Sequence, residues 1–155
     1  IGRTWEFSED IQRELEITRV GSADYSGMTL RLALNYGGRG EIVDGLRRFA
    51  DAVACGDADV EELRSLDEAG FRRFLYDPEM SDPDLVIRTG GENRLSNFLL
   101  WQASYAEIWV TDVLWPDFDV EDLKHGLEFF SARPRKFGAV EPRGTSSAAT
   151  SPREV

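Results

Sequence analysis

The chain has 155 residues, 41% hydrophobic and 11% aromatic with four tryptophans, which is enough apolar material for one compact domain with its own core. Its 18 lysines and arginines face 29 aspartates and glutamates, and the formal net charge of -11 repels nucleic acid, anionic membrane surfaces and free diphosphates alike, so any bound anion needs local cationic help. The single cysteine, Cys55, excludes an intrachain disulfide and has no metal-ligand companion nearby; it reads as a core thiol in a reducing compartment, the cytoplasm. No apolar run approaches the roughly 18 residues that mark a membrane span. The opening Ile1-Gly2-Arg3, without a methionine or a charged-then-apolar leader, points to an amino terminus lying upstream.

In chain order, Ser8 stands as the N-cap of a first helix marked by Ile11 and Leu15 and running to about Thr18. A polar connection from Gly21 to Gly27 follows. Leu30, Leu32 and Leu34 then alternate with Arg31 and Ala33 as a strand ending in Asn35-Tyr36-Gly37-Gly38-Arg39. Ile42, Leu46, Phe49 and Val53 recur at helical spacing and predict an amphipathic helix from about Gly40 to Ala54. One or two short helices between Asp57 and Tyr76 would bury Leu63, Leu66, Phe71, Phe74 and Leu75 before the break at Asp77-Pro78. Leu85-Val86-Ile87 is a short buried strand, and Ile108-Trp109-Val110 another, with a helix from Asn97 capped by Ser96 between them. Trp115-Pro116-Asp117-Phe118 is a turn. Asp119 caps a last helix carrying Val120, Leu123, Leu127 and Phe130 on one face and ending near the basic run Arg133 to Lys136. Residues 139–155 have almost nothing to bury and read as a disordered tail after a domain of residues 1–138. This alternation predicts an α/β fold, a mostly parallel sheet flanked by helices.

The densest chemistry lies between Asp84 and Gln102. Gly90-Gly91 lets the backbone turn sharply at the carboxyl end of the Leu85–Ile87 strand, where ligands sit in open α/β sheets. An anion there would meet Arg88, Arg94, the Ser96 hydroxyl and helix-end amides, and a guanidinium fork matches phosphate oxygens two at a time. Arg88 and Arg94 offset Asp84 and Glu92 and leave the segment neutral inside an acidic protein. Spacing alone allows either such an anion grip or weak surface ion pairs. By itself Glu107 reads as a solvated carboxylate before a strand. Trp101, Trp109 and Trp115 suit packing in a core or a dimer, and His125 reads as an exposed helix residue.

The runs IRTGGENRLSNFLLWQ (87–102), YAEIW (105–109) and WPDFD (115–119) resemble the signature region of the cis-prenyltransferases, the undecaprenyl diphosphate synthase family. Leu34-Asn35-Tyr36-Gly37-Gly38-Arg39 resembles that family's other internal motif and Arg135-Lys136-Phe137-Gly138 its carboxyl-terminal ending. The resemblance implies condensation of isopentenyl diphosphate with an allylic diphosphate into a polyprenyl diphosphate with cis double bonds, with Mg²⁺ as cofactor and a homodimer as the working form. It assigns Arg88, Arg94 and Ser96 to the diphosphate of isopentenyl diphosphate and Glu107 to magnesium; Asn35 and Arg39 read as structural support for the loop after the Leu30–Leu34 strand, with direct substrate contact as the alternative. Two departures matter. The family's Asp-Gly-Asn-Gly-Arg-Trp loop, which binds the allylic diphosphate and supplies the catalytic aspartate, does not occur here, nor does the motif with Ser, Glu and Trp that follows it. Lys136 stands where the family often has arginine. The chain is therefore expected to be inactive alone, with a non-catalytic partner subunit of a prenyltransferase complex as the alternative. Contact with a membrane would be peripheral at most, through the product.

Overall fold

The structure is a computed structural model and describes residues 1–133. Helix α1 spans Glu9–Gly21, α2 Gly38–Cys55, α3 Val60–Ser65 and α4 Glu68–Arg72; strands β1 (Leu85–Arg88) and β2 (Glu107–Val110) follow, and α5 (Val120–Ser131) closes the series. Local chemistry sets most of these ends. Asp59 and Asp67 cap α3 and α4 by accepting from Glu62 N and Gly70 N, and Asp119 forms a capping box with Asp122 at α5. Helix α2 stops at Gly56, whose φ of 84° suits glycine. Ser8 occupies the N-cap position of α1 but makes no side-chain cap bond.

β1 and β2 pair in parallel with Leu85 opposite Glu107 and Arg88 opposite Val110. The fold is α/β, as expected from the alternation. Strand side chains alternate between faces, so Leu85, Ile87, Glu107 and Trp109 share one face and Val86, Arg88, Ile108 and Val110 the other. Helix α5 covers the first face: a Cβ built on Gly126 would lie 2.8 Å from the Trp109 ring and 3.4 Å from Ile87 Cδ1. Gly126→Ala is therefore expected to cost about 1–3 kcal/mol through overpacking, read as a lower urea midpoint at unchanged slope. On the other face Met80, Leu99 and Ala103 form a core cluster against Val86, Tyr36 and Ala106. A second cluster, Phe49, Phe71, Phe74 and Leu75, joins α2 to α4 with Trp101 at its edge.

Several sequence expectations are corrected. The segment carrying Leu30, Leu32 and Leu34 is extended but forms no sheet strand; its backbone bonds run to the chain start, Ile1 N to Leu32 O and Leu34 N to Ile1 O, and Leu30 is 74% exposed. No helix starts at Asn97. Ser96, Asn97 and Leu99 all have positive φ, which breaks the helical path, and one helix-like bond remains, Ala103 N to Leu99 O. Ser96 is thus not a helix cap. Cys55 is exposed rather than core, because it ends α2 just before Gly56. Leu63 is also exposed, while Phe71, Phe74 and Leu75 are buried as expected. His125 is exposed as expected, whereas Trp115 lies largely in solvent. Arg135 to Gly138 and the expected tail lie outside the described residues. Among the described residues no helix is long and apolar enough to cross a membrane.

Candidate diphosphate-binding site

The loop after β1 is held on both sides. Gly90 and Gly91 adopt φ of 78° and 71°, and their amides donate to Val113 O and Thr111 O, each at 2.9 Å. This staples the loop to the chain beyond β2. The segment from Glu92 to Phe98 then folds back over the sheet face that carries Val86 and Arg88. A cavity of about 230 Å³ results, lined by Val86, Ile87, Arg88, Arg94, Leu95, Phe98 and Ile108.

Arg88 and Arg94 meet on one carboxylate. Arg88 Nη2 donates to Glu92 Oε2 at 2.6 Å, and Arg94 Nη2 stands 2.5 Å from Glu92 Oε1. The Arg88 hydrogen bond, followed by the Arg94 charge, holds the Glu92 carboxyl below the usual glutamate range. All three side chains remain substantially exposed, so solvent screens these pairs and an incoming anion can exchange with Glu92. Arg88 Nε is buried without a partner, a donor that the present contacts leave unused. Two converging forks around one anionic group suit a phosphate or diphosphate.

The remaining candidates are placed differently. Ser96 is exposed, two residues beyond Arg94, with φ 51°, and among the described residues no hydrogen bond ties it to either arginine. Glu107 opens β2 on the α5-covered face, with its Oε2 3.9 Å from Arg133 Nε, whereas Arg88 closes β1 on the opposite face. Within one chain Glu107 and the arginine pair do not converge. Among the described residues no group of three or more His, Cys, Asp or Glu gathers in a metal-holding arrangement. A single carboxylate beside a guanidinium does not by itself fit Mg²⁺, which takes octahedral oxygen ligands.

Behind the loop lies a buried polar hub that the sequence did not disclose. Glu41, 1% exposed, accepts from Tyr36 Oη at 2.6 Å, Tyr76 N at 3.0 Å and Gln102 Nε2 at 3.1 Å. Burial, and then the Glu41 bond, raise the Tyr36 hydroxyl well above the ordinary phenol range. One turn on, Asp44 accepts from Arg3 Nε at 2.8 Å, Arg47 Nη1 at 2.9 Å and Tyr76 Oη at 2.7 Å. The Arg3 hydrogen bond leads in lowering the Asp44 carboxyl, while burial and then Asp44 push Tyr76 up to about 12. Asn35, at φ 48°, donates to Glu6 Oε2, and the Arg39 backbone amide donates to Asn97 Oδ1.

Because the folded Asp44 carboxyl is depressed, its contribution to stability is whole above the ordinary aspartate value of about 3.9. It erodes as pH falls below that value and is gone once the lowered folded value is passed. Urea melts should show wild type more stable than Asp44→Asn at pH 6 and the gap narrowing toward pH 3. A gap that does not change with pH would contradict the assigned role.

Fold and site together define an α/β domain with two guanidiniums gathered at the carboxyl end of a parallel strand. The family model described as putative undecaprenyl diphosphate synthase matches residues 1–138, and the chain belongs to that family. It is 44% identical over 142 residues to the ditrans,polycis-undecaprenyl-diphosphate synthase of Escherichia coli K12, which is specific for (2E,6E)-farnesyl diphosphate; the match covers 92% of this chain and 55% of that protein. The geranylgeranyl-diphosphate-specific tritrans,polycis-undecaprenyl-diphosphate synthase of Thermoplasma volcanium is 40% identical over 138 residues, 89% of this chain and 52% of that one. Lavandulyl diphosphate synthase from Lavandula x intermedia, solved with dimethylallyl diphosphate, superposes with a TM-score of 0.82 at 37% identity, covering 90% of this chain and 58% of that one. A probable undecaprenyl diphosphate synthase from Campylobacter jejuni gives a TM-score of 0.74 at 30% identity, covering 90% of this chain and 61% of that one. The chain spans about half the length of the curated relatives it matches.

Proposed function

We propose that this chain carries the isopentenyl diphosphate half of a cis-prenyltransferase, an enzyme that condenses isopentenyl diphosphate with an allylic diphosphate to build a polyprenyl diphosphate. The observation that carries the proposal is the convergence of Arg88 and Arg94 on the Glu92 carboxylate, an internal anion standing where a diphosphate would be gripped. The acceptor's diphosphate takes over those guanidiniums, and the Ser96 hydroxyl adds a third donor. The apolar lining from Val86, Leu95, Phe98 and Ile108 receives the five-carbon chain.

In such a condensation the allylic diphosphate departs, the alkene of the acceptor attacks the allylic carbon, and a proton is lost. The arginine pair contributes positioning: it fixes the acceptor's charged end so that the alkene faces the allylic carbon. Charge on the departing diphosphate needs cationic stabilisation placed where it develops, a demand that calls for no nucleophilic side chain. Mg²⁺ would supply such charge, and Glu107 is the carboxylate that the family resemblance assigns to hold it. On a single chain Glu107 faces the α5 side, away from the arginine-held group.

We also propose a homodimer as the working form. In favour of it, Leu114 and Trp115 and, on α5, Val120, Leu123 and Leu127 are apolar side chains left exposed. This chain alone is expected to bind isopentenyl diphosphate and to show no condensation with magnesium and both diphosphates, because its sequence lacks the family's Asp-Gly-Asn-Gly-Arg-Trp loop. Calorimetric titration of isopentenyl diphosphate, with inorganic pyrophosphate as competitor, tests the binding. Saturable, competed binding supports the proposal, and no heat at millimolar ligand counts against it. Radiolabelled product formed by this chain would contradict the division of the two half-sites.

A further inference from the structure

Helix α2 starts with a deficit. Its N-cap, Gly37, has no side chain to receive the amides of the first turn, and a helix start leaves such amides unpaired. The missing acceptors come from the loop that carries Arg94. Asn97 accepts from Gly38 N through its backbone oxygen at 2.7 Å and from Arg39 N through Oδ1 at 2.8 Å. To do so it adopts φ 67°, with Ser96 before it at 51° and Leu99, two residues on, at 43°. Asparagine tolerates this region better than most residues, and the neighbouring outliers are strain that the surrounding contacts must hold. The fit is close: a Cβ on Gly37 would lie 2.7 Å from Asn97 Nδ2, and one on Gly38 would lie 2.8 Å from Leu100 Cγ. Phe98 adds an edge-to-face contact with Tyr36 at 5.8 Å.

We infer that Asn97 is a positioning residue for the diphosphate grip: its double cap on α2 fixes the far end of the strained loop and so sets where Arg94 and Ser96 stand relative to Arg88. The inference rests on the proposed function. Releasing the clasp lets the left-handed residues relax, and the Arg94 guanidinium then has to be ordered at the moment of binding.

The test is calorimetric titration of inorganic pyrophosphate into the chain and its variants, each shown by thermal melting to be folded at the working temperature. Asn97→Gly keeps the backbone freedom and the carbonyl cap but removes Oδ1, and should raise Kd about five- to thirty-fold, the size of a missing cap. Gly37→Ala leaves Asn97 in place and displaces its side chain; Gly37 sits at φ -157°, which alanine adopts freely, so any weakening comes from the clash. That weakening should vanish in the Asn97→Gly background, where nothing remains to displace. Additive effects, or wild-type affinity in both single variants while Arg94→Ala binds weakly, would overturn the inference and leave the proposed function standing. If Arg94→Ala also bound like wild type, the proposed function itself would fall, and the inference with it.

Discussion

Replacing Glu41 by alanine is expected to lower the unfolding midpoint by about 6–12 °C. The carboxylate is 1% exposed and accepts from three separate parts of the chain: the Tyr36 hydroxyl, the Tyr76 amide and the Gln102 side chain. Alanine leaves those donors buried without an acceptor and opens a void, a destabilisation on the order of 3 kcal/mol. For a chain of this size each kcal/mol moves the midpoint by about 2–4 °C. Glu41→Gln should cost less, because Gln102 can turn its amide and present Oε1, which is buried with no partner in the present arrangement. Calorimetric or circular-dichroism melts of the two variants check this. Equal, small shifts for both would show that the hub does not tie α2 to the loops.

The second large effect concerns substrate use. In a protein spanning the relatives' full length, Arg94→Ala should raise KM for isopentenyl diphosphate about ten- to hundred-fold while leaving allylic diphosphate binding within about two-fold. The asymmetry follows from the site. Arg94 lines the cavity beside Arg88 and pairs with Glu92, and on the proposed assignment its removal would take charge-assisted hydrogen bonds from one substrate only. Arg94→Lys should recover only part of the affinity, since an ammonium cannot make the planar two-point interaction. Equal weakening for both substrates would refute the assignment.

How much of this could be read from the sequence depended on whether the determinants were local. Helices α2 and α5 were legible because Ile42, Phe49 and Val53, and the capping residue Asp119, write their pattern within one element. Strand β1 was legible as a short apolar run, and Arg88 and Arg94 stood out against an acidic background. The segment after Ser96 misled because Phe98 and Trp101 keep helical spacing while Asn97 is committed to α2, 58 residues earlier in the chain. Leu30, Leu32 and Leu34 misled in the same way: alternation marks an extended segment but does not supply the strand beside it. Glu41 and Gln102 were invisible, since a buried carboxylate and the amide that answers it lie 61 residues apart. One faint signal was available. The Gly37-Gly38 start of an 18-residue helix, with no capping side chain, calls for an acceptor from elsewhere.

The most direct measurement is a crystal structure of the chain with isopentenyl diphosphate. The diphosphate should lie between the guanidiniums of Arg88 and Arg94, with Glu92 turned away and the Ser96 hydroxyl within hydrogen-bonding reach. A diphosphate seated on the α5 side of the sheet near Glu107, with Glu92 still bridging both arginines, would contradict the assignment.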